Sequence, residues 1–213
     1  RLITADDPIQ VRFFFEVKDL AANQAPVKLV VESAERYAIS VNGHSASDID
    51  GTWLDAAFGT VDITANLIEG VNTVVLTTTF AEDWELENSY LIGGFAVEQR
   101  AIGTPNVADF SNRALQLGDW VSQGYPFYAG RMEYTNTLGW RGDSSVFIQL
   151  AGVQTNCVAV YVNGTRVGQI AYPPYQLEIT PWLETGENQI RLVAVNSLRN
   201  LTDPLHFVEM KFI

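Results

Sequence analysis

The residues of this chain best suited to chemistry are its loop aromatics, because acids surround them. Trp53 stands near Asp48, Asp50 and Asp55, and Trp84 stands among Glu82, Asp83 and Glu85. Trp140 precedes Arg141 and Asp143, and Tyr172 and Tyr175 flank Pro173-Pro174. A flat ring offers its face to apolar C–H groups, while carboxylates and amides beside it bind hydroxyls. That pairing suits a pyranose ring. Candidate ligand-binding residues are therefore Trp53, Asp55, Trp84, Glu85, Trp140, Arg141, Asp143 and Tyr172. The same rings could instead plug the ends of a sandwich or the seam between domains, and both readings stay open. Tyr125, Phe127 and Tyr128 of GYPFYAG read as a compact packing corner, and Trp182 as a structural half-turn residue.

Other chemistry is thin. Asp48-Ile49-Asp50-Gly51 matches the D-x-D-G opening of calcium loops, but the downstream bidentate Glu is missing at the required spacing. A structural calcium on Asp48 and Asp50 is set against a plain solvated acidic loop, and no other cofactor is called for. His44 follows the turn residue Gly43, His206 lies before the last apolar run, and neither has a nucleophile-elbow Ser or Cys beside it. A glycosidase needs two carboxyls at a fixed separation, which sequence spacing does not supply. Cys157 is alone, so it forms no intrachain disulfide, and beside Val158 it reads as a buried, inert thiol. Arg141-Gly142-Asp143 and Asn163-Gly164-Thr165 match integrin-binding and glycosylation tripeptides, but turn chemistry accounts for both.

Composition narrows the partners. The 213 residues carry a formal charge of −12 with no basic run, which opposes a phosphate backbone and excludes nucleic acid. No apolar run approaches the roughly 20 residues that span a bilayer, so no membrane partner is expected. Hydrophobic residues make up 47% of the chain, enough to bury a core. A single Cys with abundant Thr, Asn, Gly and aromatics suits a secreted bacterial domain. The opening Arg1, rather than Met, reads as a piece of something longer or a mature product.

The elements that must position these residues are strands. Residues 158–162 (VAVYV) are β-branched and aromatic, and Asn163-Gly164 accepts the positive φ angles of a two-residue hairpin. Pro173-Pro174 ends the ladder, and residues 175–179 form another strand. Thr180-Pro181 then reads as an N-cap and first-turn proline of one short turn. Gly186 to Asn188 reverse the chain into a return strand over 189–195. The same order occurs earlier, in residues 37–41, Asn42-Gly43, residues 61–64, Gly70 to Asn72 and residues 73–77. Gly70 and Gly186, Asn72 and Asn188, and Ile63 and Ile179 are all 116 positions apart (186 − 70, 188 − 72, 179 − 63). Asn42 and Asn163 are 121 apart (163 − 42), so the first copy carries five extra residues after its hairpin. Equal offsets across matching turn residues point to internal duplication. The expected fold is all-β, two tandem antiparallel sandwiches, copy one over 1–100 and copy two over 101–213.

In detail, QVRFFFEV places Phe13 and Phe15 on one strand face and Phe14 on the other. Residues 44–60 and 80–88 read as loops, and 100–112 as the connector between copies. Residues 114–120 open the second sandwich, and HFVEMKFI at 206–213 reads as its terminal strand.

A VYVNG hairpin, a (D/E)IT-x-x-L half-turn and G-x-N before a strand resemble the galactose-binding-like jelly rolls. These are the sugar-binding domains of family 2 glycoside hydrolases and of related large hydrolases, including family 106 rhamnosidases. The match is close over 118–200, where GDWVSQGYPFYAG also resembles the start of such a domain. It is looser over 9–97, where ELENSYLIGGFAV resembles a closing strand. The resemblance implies two galactose-binding-like jelly rolls and a non-catalytic carbohydrate-binding module from a secreted multidomain glycoside hydrolase. Its partners would be a polysaccharide or oligosaccharide and a covalently linked catalytic domain. The alternative is a structural accessory sandwich that packs on a catalytic domain and has no ligand of its own. An acid-paired hydrolase in its own right ranks third.

Overall fold

The computed structural model describes residues 7–101, 104–111 and 114–197, and the chain divides into two compact units, Arg1–Leu115 and Gln116–Ile213. Both are built from β-strands joined by loops and single 3-10 turns. In the first unit the strands are β1 (Pro8–Lys18), β2 (Lys28–Glu32), β3 (Ala38–Val41), β4 (His44–Ser45) and β5 (Ile49–Trp53). They are followed by β6 (Asp55–Asp62), β7 (Gly70–Thr79), β8 (Tyr90–Ile92), β9 (Ala96–Glu98) and β10 (Val107–Asp109). They form a six-stranded sheet in the order β4-β3-β7-β1-β10-β9 and a four-stranded sheet in the order β5-β6-β2-β8. Alternate residues of the two sheets meet in one core: Phe15 and Val17, Ile39 and Val41, and Val74 and Leu76 from the first, with Leu29, Val31 and Val61 from the second. This is a β-sandwich. Phe15 is buried while Phe14 is 53% exposed, as period-two alternation in β1 requires.

The second unit holds β11 (Arg131–Trp140), β12 (Phe147–Gln149), β13 (Cys157–Val162), β14 (Thr165–Ile170), β15 (Gln176–Glu178) and β16 (Gly186–Val195). Its sheets run β11-β16-β13-β14 and β12-β15. Val160, Val162, Ile170, Ile179 and Ile190 form the centre of its core. Gly168 lies where a Cβ would meet Leu177 Cδ2 at 2.7 Å, so a larger residue there would force the Leu177 side chain to move.

The two units repeat one hydrogen-bonded frame. Asn42-Gly43 and Asn163-Gly164 adopt positive φ throughout (52° and 83°, 48° and 82°), the conformation of a hairpin turn whose twist matches its strands. The Asn42 side chain donates to Asn72 Oδ1 at 2.8 Å, and Asn163 donates to Asn188 Oδ1 at 2.9 Å. Asn72 Oδ1 also accepts from Ile68 N while its amide donates to the Ile68 and Gly70 carbonyls. Asn188 repeats this with Glu184 and Gly186. Thr64 Oγ1 accepts from Val27 N at 2.9 Å, and Thr180 Oγ1 accepts from Val146 N at 2.8 Å. Asn72 and Asn188 are both fully buried, so these bonds are what make each amide tolerable in a core.

Three sequence expectations change. Residues 44–60 are not a loop: β4, β5 and the start of β6 occupy them, with the reversal at Leu54 (φ 62°). The alternation there is broken by β-bulges, which is why it reads as irregular. The connector 100–112 contains β10, which pairs in parallel with β1, so the division falls after Leu115 rather than near residue 100. Thr180 does not cap its turn. Ile179 holds the N-cap position, and the Thr180 hydroxyl is engaged by Val146 instead. The second unit begins at Gln116, within the residues expected to open the second sandwich. The terminal strand expected at 206–213 lies outside the described residues.

Replacing Asn72 or Asn188 with Ala removes a satisfied buried amide and orphans its partners. Each change is expected to destabilise its own unit by about 2–4 kcal/mol, measured as faster amide exchange confined to that unit. A loss under about 0.5 kcal/mol would show that the clamp is dispensable.

Candidate functional site

Side chains alternate along β2, so when Leu29 and Val31 enter the core, Lys28, Val30 and Glu32 face outward. On the same outward face, Val30 stands opposite Thr60 of β6 and Tyr90 of β8, and Glu32 stands opposite Phe58. An outward Val should be exposed, yet Val30 has 0% exposure and Thr60 only 3%. The cover is aromatic. The Tyr90 ring centroid lies 5.6 Å from Trp53 (tilted by 48°) and 6.2 Å from Phe58 (edge-on, 69°). All three rings are half-buried, each leaving part of its surface to solvent. The result is an aromatic patch on the solvent side of a sheet rather than in its core.

A polar chain runs beside it. Asp50 Oδ1 accepts from Thr60 Oγ1 at 2.6 Å, and Asp50 Oδ2 pairs with Lys28 Nζ at 2.9 Å. The Thr60 hydroxyl first, and then Lys28, hold the Asp50 carboxyl below the usual carboxylate range. Asp50 is therefore a fixed, ionised acceptor, and Lys28 a fixed donor. Half-exposed rings next to fixed donors and acceptors can stack on a C–H face while gripping hydroxyls at its rim.

Of the residues singled out in the sequence, Trp53 and Asp50 come together on this face. Asp55 is exposed, and its carboxylate accepts from Ala57 N, bracing the β5–β6 reversal. Asp48 is exposed. For calcium, both Asp50 oxygens are engaged by Thr60 and Lys28. Among the described residues no three His, Cys, Asp or Glu side chains converge on a metal position.

The other rings are engaged elsewhere. Trp84 donates through Nε1 to Tyr37 Oη at 3.0 Å and meets Phe80 edge-on, while Arg36 pairs with Asp83 at 2.9 Å. Together they pin the acidic loop 80–89 to its own sandwich, with Glu85 exposed on it. Trp140 packs against the second core and donates to Ser144 O at 2.9 Å, closing the turn that carries Arg141 and Asp143 into solvent. Tyr172 is 82% exposed and stands just before the cis Pro173–Pro174 bond. The GYPFYAG corner packs on itself: Tyr128 meets Trp120 and Tyr125 edge-on and donates to Arg131 O at 2.7 Å. Trp182, read as structural, is 42% exposed on its 3-10 turn.

Tyr90 and Lys28 escaped sequence reading because each looked like an ordinary strand residue. Phe58 was visible as an aromatic in an apparent loop. The available signal was period two: Lys28, Val30 and Glu32 alternate with Leu29 and Val31, and Tyr90 and Ile92 alternate with Leu91.

No family model and no curated protein sequence matches the chain. Among solved structures it is similar to a rhamnosidase from Novosphingobium sp. PP1Y, with 19% identity over 92% of this chain and 18% of that one, at a TM-score of 0.34. It is also similar to Streptomyces avermitilis alpha-L-rhamnosidase complexed with L-rhamnose, with 11% identity over 90% of this chain and 22% of that one, again at 0.34. The chain thus spans less than a quarter of either protein.

Proposed function

We propose that the chain is a non-catalytic carbohydrate-binding module. It binds polysaccharide on the outward face of the four-stranded sheet of its first unit. The observation that carries this reading is the Trp53–Tyr90–Phe58 patch beside the Lys28–Asp50–Thr60 chain. Large aromatics clustered on a solvent face are uncommon without a binding role, and here fixed polar groups lie alongside. In the same reading the two units are tandem galactose-binding-like jelly rolls related by duplication, which the paired Asn and Thr bonds of the frame support. The module belongs to a secreted multidomain glycoside hydrolase and is linked covalently to its catalytic domain.

A second reading, a structural sandwich packed on a catalytic domain, is favoured by the other sheet. Its outward face shows Phe14 and Val71, 53% and 54% exposed.

Titration calorimetry against a polysaccharide panel separates the two. The panel holds cellulose, xylan, xyloglucan, mannan, β-glucan, galactan, pectin and rhamnogalacturonan. Saturable binding is expected, and Trp53→Ala or Tyr90→Ala should weaken it at least about tenfold, or 1.4 kcal/mol. Trp84→Ala and Trp140→Ala should lower stability but leave affinity within about twofold. Silence across the whole panel, or loss of binding only in Phe14→Ser, would sink the sugar face and favour the structural reading.

The same site predicts a pH response. Because the Asp50 pKa is lowered, its ion pair is intact above the ordinary carboxyl value of about 3.9 and is lost as pH falls through the lowered pKa. Affinity should hold from neutrality down to about pH 4 and decline below it. Asp50→Asn should bind more weakly at neutrality and lack that decline. An Asp50→Asn profile that overlays the parent would remove Asp50 from the site.

A further inference from the structure

The four strands beneath the aromatic patch carry a one-sided charge. β5, β6, β2 and β8 hold one ammonium, Lys28, and four carboxylates, Glu32, Asp50, Asp55 and Asp62. Asp62 stands opposite Lys28, and Glu32 opposite Phe58, on the outward side, because their neighbours Val61 and Val31 fill the core. Asp55 stands opposite Trp53 at the β5–β6 reversal. Lys28 is taken up by Asp50 at 2.9 Å. Arg36, on the 3-10 turn Ala34–Arg36 beside β6, is taken up by Asp83 at 2.9 Å. The chain then enters β8 through residues 82–87 (EDWELE), where Glu82, Asp83, Glu85 and Glu87 are all exposed.

Distance makes that charge felt on the rings. Lys28 and Glu32 are four residues apart along β2, about 13 Å, and Tyr90 stands opposite Val30, midway between them. A group seated on that ring lies within a Debye length, about 10 Å at 0.1 M salt, of Glu32 on one side and the Lys28–Asp50 pair on the other. A carboxylate or sulfate there meets net repulsion, and covering it unpaired adds a desolvation cost. A hydroxyl meets neither, since it donates to a carboxylate oxygen.

We propose that this face selects uncharged glycans and turns away those bearing carboxylates or sulfates, with Glu32 beside Phe58 enforcing the choice. The selectivity rests on the sugar-binding reading of the patch and names the ligands it admits. The acids act in two ways at once. They accept from the hydroxyls of a neutral sugar, and they repel an anion that would otherwise stack on the same rings.

Titration calorimetry with matched polymers tests the choice. The probes are cellulose, xyloglucan, mannan, β-glucan and galactan, each compared with the same polymer after part of its primary hydroxyls is oxidised to carboxylates. Xylan, which lacks primary hydroxyls, is matched with glucuronoxylan. At low salt the acidic form of whichever polymer binds should bind at least about tenfold more weakly. The gap should shrink to about threefold or less at 1 M salt, where the Debye length is about 3 Å. Methyl esterification of the carboxylates should restore affinity. Glu32→Gln should narrow the low-salt gap while keeping the neutral polymer within about threefold. Equal binding of the two forms, with Trp53→Ala weakening both, overturns the selectivity and leaves the sugar face standing. Binding of pectin or rhamnogalacturonan but of no neutral polymer overturns it likewise. A gap that persists at 1 M salt or in the methyl ester reflects lost hydroxyls rather than charge, and also overturns it. Silence toward every polymer overturns the sugar face and the selectivity together.

Discussion

A buried side-chain amide fixes the geometry on which the rest of each unit depends. Asn72 bonds to the hairpin turn at Asn42, to Ile68 in the loop that follows the 3-10 turn and to Gly70 at the start of β7, and Asn42 in turn donates to Asn66 O of the 3-10 turn. An amide in a core is costly unless its donors and acceptors are met, and here one misplaced element would orphan several groups at once. The constraint reaches the other sheet. The 3-10 turn Thr64–Asn66 begins with Thr64, whose hydroxyl receives Val27 N and so sets where β2 starts against β6. A one-residue slip there would turn every side chain of β2 to the opposite face. The outward position of Val30 and the site above it therefore rest on a bond network at the end of the sandwich.

The aromatic patch serves two demands that pull against each other. Stability favours burying Val30 and Thr60 beneath rings, since covering apolar surface is worth about 25 cal/mol per Å². The proposed sugar binding requires ring faces left in water. Tilted and edge-on contacts reconcile the two, because each ring shields its neighbour with an edge while keeping part of a face free. Trp84 and Trp140 show the other outcome. Each gives its indole N–H to an internal acceptor and serves its own loop.

What was legible in the sequence follows the range of the forces involved. Turn chemistry is local, so Asn42-Gly43, Asn163-Gly164 and the 116-residue offset were readable and the frame follows them. Strand alternation is also local, and it placed Phe14 and Phe15 on opposite faces. Pairing between distant segments is not local. β10 is three residues long and is made a strand by lying between β1 and β9, which is why 100–112 read as a connector. Bulges hid β5 for a related reason, since they break the period that marks a strand. Among the candidate rings, sequence supplied the acids around Trp84 and Trp140 but not the acceptors of their N–H groups. Trp53 looked the same as they did, and only Tyr90, a distant strand residue, distinguishes it.

The two frames differ between the hairpin and the half-turn, among other places, and the aromatic patch lies there. Between the hairpin and the half-turn the first unit has five more residues than the second, the difference between offsets of 121 and 116. Those residues belong to the stretch that makes β5, a strand with no counterpart among the described residues of the second unit. Trp53 and Asp50 sit on β5, and Phe58 sits on the strand it pairs with. Lys28, Val30 and Tyr90 come from the shared frame, where the second unit has Phe147 and Gln149 in place of the first two. The frame therefore supplies a sheet surface in both units, while the extra strand supplies Trp53 and Asp50, two of the four residues that make up the three rings and the carboxylate, in one. A unit built this way gains an exposed aromatic face by adding an edge strand, without disturbing the buried amides that hold its register.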